Sequence, residues 1–127
     1  MRKAFTLIEF LVYMGLMSLF LIVLTNILAT SLETLTESNQ VTTIDSDSRY
    51  ILARMAYDIG RAADITTALG LYTVVSGNLM LGPDRLNSFD STIGNFVVTG
   101  IGKTVKINFD ITSGTRTRSL FTTLGLR

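Results

Sequence analysis

At 127 residues and a net charge of +1, the chain has room for one compact domain and carries no overall signature of polyanion binding. It contains neither Cys nor His, which excludes disulfide staples, thiolate zinc sites and catalysis of the usual Ser/His/Asp or Cys/His kind. The apolar residues are unevenly spread, and a large share of them sits in the first 32 positions.

The chain begins Met1-Arg2-Lys3-Ala4 and continues Phe5-Thr6-Leu7-Ile8-Glu9. From Phe10 through Leu32 no residue is charged, a run of 23 positions. As a helix rising ~1.5 Å per residue this run is about 34 Å long, enough to cross a hydrocarbon core of about 30 Å. Two basic residues precede it and Glu33 and Glu37 follow, so the positive-inside tendency puts Met1 in the cytoplasm and everything after about Glu33 outside. A cleaved secretory signal would need a small-residue cleavage site after the apolar core, and Ala29-Thr30-Ser31 is a loose match. A plain signal anchor explains the hydrophobicity and the flanking charges. It does not explain Glu9, because a carboxylate near the bilayer centre costs ~2.5 kcal/mol or more and usually has a partner or a task.

The segment Lys3-Ala4-Phe5-Thr6-Leu7-Ile8-Glu9-Phe10-Leu11-Val12 resembles the prepilin-type cleavage and methylation motif of type IV pilins and type II secretion pseudopilins. In that family a prepilin peptidase cuts before the Phe and N-methylates the new terminus. The resemblance implies a leader of residues 1–4, a cut between Ala4 and Phe5, N-methylation at Phe5, and a filament-assembly role for Glu9. This chain has Ala4 where the family usually has Gly. Processing would also create an α-ammonium at Phe5 that can meet the Glu9 carboxylate of a neighbouring subunit, fixing axial register as single polar groups do in coiled coils.

Residues 5–32 are thus expected to be the membrane and assembly half of a long helix, and residues 33–127 an exported domain. Thr and Ser crowd positions 30–43 and lower helix propensity, but neither Pro nor Gly stops the helix there. Val41, Ile44, Ile51, Met55, Ile59 and Ala62 then recur at spacings of three, four or seven, one apolar stripe of an amphipathic helix. The prediction is one long helix from about Thr6 to about Asp64. Its end, Tyr50 to Ile65, is also loosely similar to the close of the long helix in J-type minor pseudopilins.

After Gly70 the pattern becomes strand-like. Leu71–Val75 and Leu79–Leu81 flank Ser76-Gly77-Asn78, a hairpin-like turn, and the polar stretch Gly82–Gly94 with Pro83 reads as a surface loop. Asn95–Ile101 and Thr104–Ile111 flank Gly102-Lys103, a tight-hairpin signal, and Ser113-Gly114-Thr115 leads into a last strand over about Arg116–Leu124. The predicted fold class is α+β and pilin-like, a long N-terminal helix packed on a small antiparallel sheet.

No enzymatic chemistry is expected. Asp45 and Asp47 point to different faces of a helix, Asp84, Asp90 and Asp110 are scattered, and all read as solvated surface carboxylates. No cofactor is implied, and no metal site, since the spaced ligands of an EF-hand are missing. Lys103, Lys106, Arg116 and Arg118 lie in the last quarter, where Asp110 is the sole acid, and would form a weak nucleic-acid patch if their strands were neighbours. A sheet edge protected by charge is the stronger reading of the same residues. Two functional expectations follow. The first is a structural filament subunit of the cytoplasmic membrane, single-pass with its N-terminus inside, later part of an extracytoplasmic filament. Its partners would be a prepilin peptidase, other pilin or pseudopilin subunits, an inner-membrane assembly platform and the lipid bilayer, with DNA a weaker expectation. The second is a single-span anchored domain that binds a ligand outside the cell and joins no filament.

Overall fold

The computed structural model of the chain describes residues 6–126. Its order is helix α1 (Leu7–Arg61), helix α2 (Ile65–Gly70), and strands β1 (Tyr72–Val75), β2 (Asn78–Leu81), β3 (Asp84–Arg85), β4 (Thr92–Ile101), β5 (Thr104–Ser113) and β6 (Arg116–Gly125). The fold is α+β, as the periodicities predict. The strands form two antiparallel three-stranded sheets, in the orders β1-β2-β3 and β4-β5-β6, rather than the single sheet expected. By its contacts the chain divides into two units, the first ending at Glu37 and the second beginning at Ser38.

In the first unit α1 starts at a side-chain cap, where the Glu9 N–H donates to Thr6 Oγ1 at 3.4 Å. Its large apolar side chains are exposed, Leu7, Phe10, Phe20 and Ile22 among them by more than half. Ser18 and Thr25 turn their hydroxyls back onto the carbonyls of Met14 and Leu21, at 2.9 and 2.8 Å. Thr30, Thr34 and Thr36 do the same one turn back. Such bonds within the helix hide polar groups that an apolar solvent cannot satisfy. They also show how a Thr-rich stretch remains helical.

In the second unit the stripe of α1 meets the sheets. Ile44, Ile51, Met55 and Ile59 are buried, but Val41 is exposed, so the core face begins one turn later than its spacing suggests. Strand β5 supplies the facing row, burying Val105, Ile107, Phe109, Ile111 and Ser113 in strict alternation. Ala68, Tyr72, Leu79, Leu86 and Ile93 complete the core. Helix α2 is absent from the sequence-based prediction, which ran the first helix to Asp64. The chain instead breaks after Arg61, and Asp64 opens the next turn, its carbonyl accepting from Ala68 N–H at 3.0 Å and its carboxylate from Thr66 Oγ1 at 2.6 Å.

Two-residue turns join the strands within each sheet. Ser76 and Gly77 both have positive φ (50° and 77°), the requirement of a type I′ hairpin. Gly102 (63°) and Gly114 (57°) open the turns into β5 and β6. Asn95, at φ 47°, sits in an irregularity of β4 between Gly94 and Val97.

Candidate functional site

Glu9 is the third residue of α1, in its first turn. With Thr6 it has the spacing of a capping box, Thr-x-x-Glu, whose Glu carboxylate also suits the positive end of the helix dipole. The sequence carries that signal plainly, beside the processing motif and the cost of a carboxylate at the head of an apolar helix. Ala4 and Phe5, the two positions of the expected cut and methylation, lie outside the described residues. From Leu7 onward the helix is long and apolar enough to cross a membrane.

The second unit holds a buried polar cluster that the sequence reading missed. Asp47, expected to be solvated, is only 9% exposed. Its carboxylate accepts from the Ser88 N–H at 2.9 Å, from Ser88 Oγ at 2.8 Å and from Ser91 Oγ. Asn87, also buried, accepts from the Leu79 N–H at 2.9 Å and donates to the Ser91 carbonyl at 2.7 Å. Arg85 closes the loop from outside by donating to the carbonyls of Asn87 and Ser88. The stretch 82–94 is therefore no surface loop. It contains β3, the start of β4, and a staple that ties residues 87–91 to α1. Both serine hydroxyls donate to the carboxylate, so the arrangement holds this loop against α1.

Asp45, two residues away, points to another face as expected and pairs with Arg118 on β6. Asp58 binds on both sides, accepting from Arg54 Nε at 2.8 Å and from the Tyr72 hydroxyl at 2.9 Å. Burial, with this hydrogen bond next, pushes the Tyr72 phenol well above its ordinary range. Asp110 lies below the usual carboxylate range because Ser119 and then Asn95 donate to it, the latter at 2.5 Å.

The four basic residues of the expected patch do not converge. In the β5–β6 register Arg116 and Arg118 face Ser113 and Ile111, on the side turned toward α1. Lys106 faces Thr99 and Thr123 and lies on the opposite side of the sheet. Lys103 is in the β4–β5 turn, at the other end of the strands from Arg116. A ten-residue strand separates those ends by about 30 Å.

Comparison with known protein families, with curated proteins and with solved structures finds no match for this chain. Its functional reading therefore rests on its own residues.

Proposed function

We propose that the chain is a structural subunit of a type IV pilus-like or type II secretion pseudopilus filament, processed by a prepilin peptidase and assembled through α1. The observation that carries this reading is one carboxylate, Glu9, four residues after Phe5, behind a basic leader and at the head of a helical run that is apolar and uncharged from Phe10 to Leu32. A helix whose apolar side chains are exposed needs lipid, other helices, or each in turn. In a membrane the carboxylate stays near the interface, with its first turn capped by Thr6. In a packed bundle it requires a cation, and cleavage before Phe5 would make one. The amphipathic half of α1 with its two small sheets would then be the exported part carried on the filament surface.

In this reading the N-terminus begins in the cytoplasm and the second unit outside. Mass spectrometry of the native protein from membranes and filaments tests it directly. The expected mature chain starts at Phe5 with a methylated amine. An intact Met1-Arg2-Lys3-Ala4 in assembled filaments would refute it.

A further inference from the structure

Strand β6 is the outer strand of its sheet, and among the described residues no strand pairs with its free edge. Natural sheets usually blunt such an edge with charge, Pro or a covering element. Here Arg116 and Arg118 guard the first part only. Ser119-Leu120-Phe121-Thr122-Thr123-Leu124-Gly125 then runs for seven residues with neither charge nor Pro.

This edge runs alongside α1. Thr115 Oγ1 donates to Gln40 at 3.3 Å, Arg118 pairs with Asp45, and Gly125 borders a hollow with Ala56, Tyr57, Gly60 and Arg61. The seven steps along the strand from 118 to 125 and the fifteen along the helix from 45 to 60 both cover about 23 Å. Strand and helix therefore keep pace along the whole length. Ala56 and Gly60, four positions apart on the helix, leave a floor without bulky side chains beside Gly125. Tyr57 stands at its rim, with Arg61 stacked on its ring at 5.0 Å.

From this geometry we propose that the β6 edge and the adjoining small-residue face of α1 form a docking groove for an extended acidic strand of another protein. The unpaired backbone of β6 selects an extended partner, which adds to the sheet by main-chain hydrogen bonds. The sign of the partner follows from the border. Arg49, one helical turn beyond Asp45, is exposed, Arg61 lies at the far end, and Arg116 begins the strand. The acid on this side, Asp45, is already neutralised by Arg118. Acidic side chains spaced along a bound strand therefore meet arginines at both ends of the groove. The groove belongs wholly to the exported unit and does not depend on assembly into a filament.

The test uses the full-length chain in uncharged detergent micelles and a fluorescent heptapeptide of alternating valine and glutamate. Saturable binding is expected, with slowed amide exchange confined to Ser119–Gly125. The double variant Arg49→Glu/Arg61→Glu, at two exposed positions, should weaken binding about tenfold while leaving the circular dichroism spectrum unchanged. A peptide with alternate backbone amides N-methylated should lose binding, and the valine–lysine version should bind at least about tenfold more weakly. Equal binding of the N-methylated or lysine peptide would overturn the proposal. So would protection of the same amides by concentration alone, which would identify a second copy of the chain as the occupant.

Discussion

Replacing Glu9 by Gln and by Leu separates the two roles the structure allows for that residue. As a capping residue, Glu9 contributes through its place one turn after Thr6 and through its charge at the helix N-terminus. Gln serves equally well in a capping box, so Glu9→Gln loses only the dipole interaction, ~0.3–1 kcal/mol. Leu loses the side-chain cap as well. As an assembly residue, Glu9 has a different scale. Inside an apolar bundle, removing one partner of an ion pair leaves the other charge unpaired at a cost of ~3–5 kcal/mol, or about two to three powers of ten in occupancy. Both variants should therefore insert into membranes and be cleaved at close to normal levels, and both should fall at least about a hundredfold in purified filaments. The assay is quantitative mass spectrometry of this protein in filament and membrane fractions, because a minor subunit can drop out while the filament persists. Normal incorporation of Gln with failure of Leu would assign Glu9 to capping. Normal incorporation of both would leave the plain signal anchor as the preferred reading.

The other predictions concern processing and the second unit. Ala4→Gly should be cleaved at least as fast as the natural chain in a peptidase time course, and slower cleavage would mean that the cut lies elsewhere. Asp47→Ala strands the Ser88 N–H and two hydroxyls in a buried site and should cost about 3 kcal/mol in urea unfolding of the micelle-bound chain, with Asp47→Asn recovering part of it. The folded state holds the Tyr72 proton more tightly than the unfolded chain, where the phenol ionises near 10.0. Stability should therefore be level below that pH and fall as pH rises above it, and Tyr72→Phe should abolish the fall. Gly114→Ala forces a side chain into the left-handed region and its Cβ to within 2.2 Å of the Gln40 amide, so thermal unfolding should show a loss of about 1–2 kcal/mol.

Much of the fold was legible because its signals are local. The alternation of Val105, Ile107, Phe109 and Ile111 and the glycines at the hairpins report on neighbours one or two residues away. What escaped depends on partners distant in sequence. Residues 87–91 look like a polar loop by composition, yet Ser91 is buried because Asp47, some forty positions earlier, accepts its hydroxyl, and Asn87 is buried because the Leu79 N–H and the Ser91 carbonyl partner it. The second sheet escaped for the same reason, since periodicity does not say which strands pair. The basic residues show the limit most clearly. Lys106 and Arg118 both sit on strands as expected, but only the β5–β6 register reveals that they occupy opposite sides. Helix α2 was hidden by its length, because one and a half turns after Asp64 generate too little periodicity to see. At the N-terminus both signals are local, the motif around Glu9 and the three-residue spacing back to its cap partner Thr6.

The hydroxyls of Ser18 and Thr25 spend their hydrogens on their own helix. A surface of this kind offers a neighbour many equivalent ways to nestle and little reason to prefer one. Sliding by a turn exchanges leucine for isoleucine or phenylalanine and changes almost nothing in energy. Glu9 is the exception, the one mark on an otherwise ungraduated rod. In the proposed filament, copies of such a helix would pass freely over one another until that mark found its counterpart, and fluid movement and fixed position would come from the same few turns of chain.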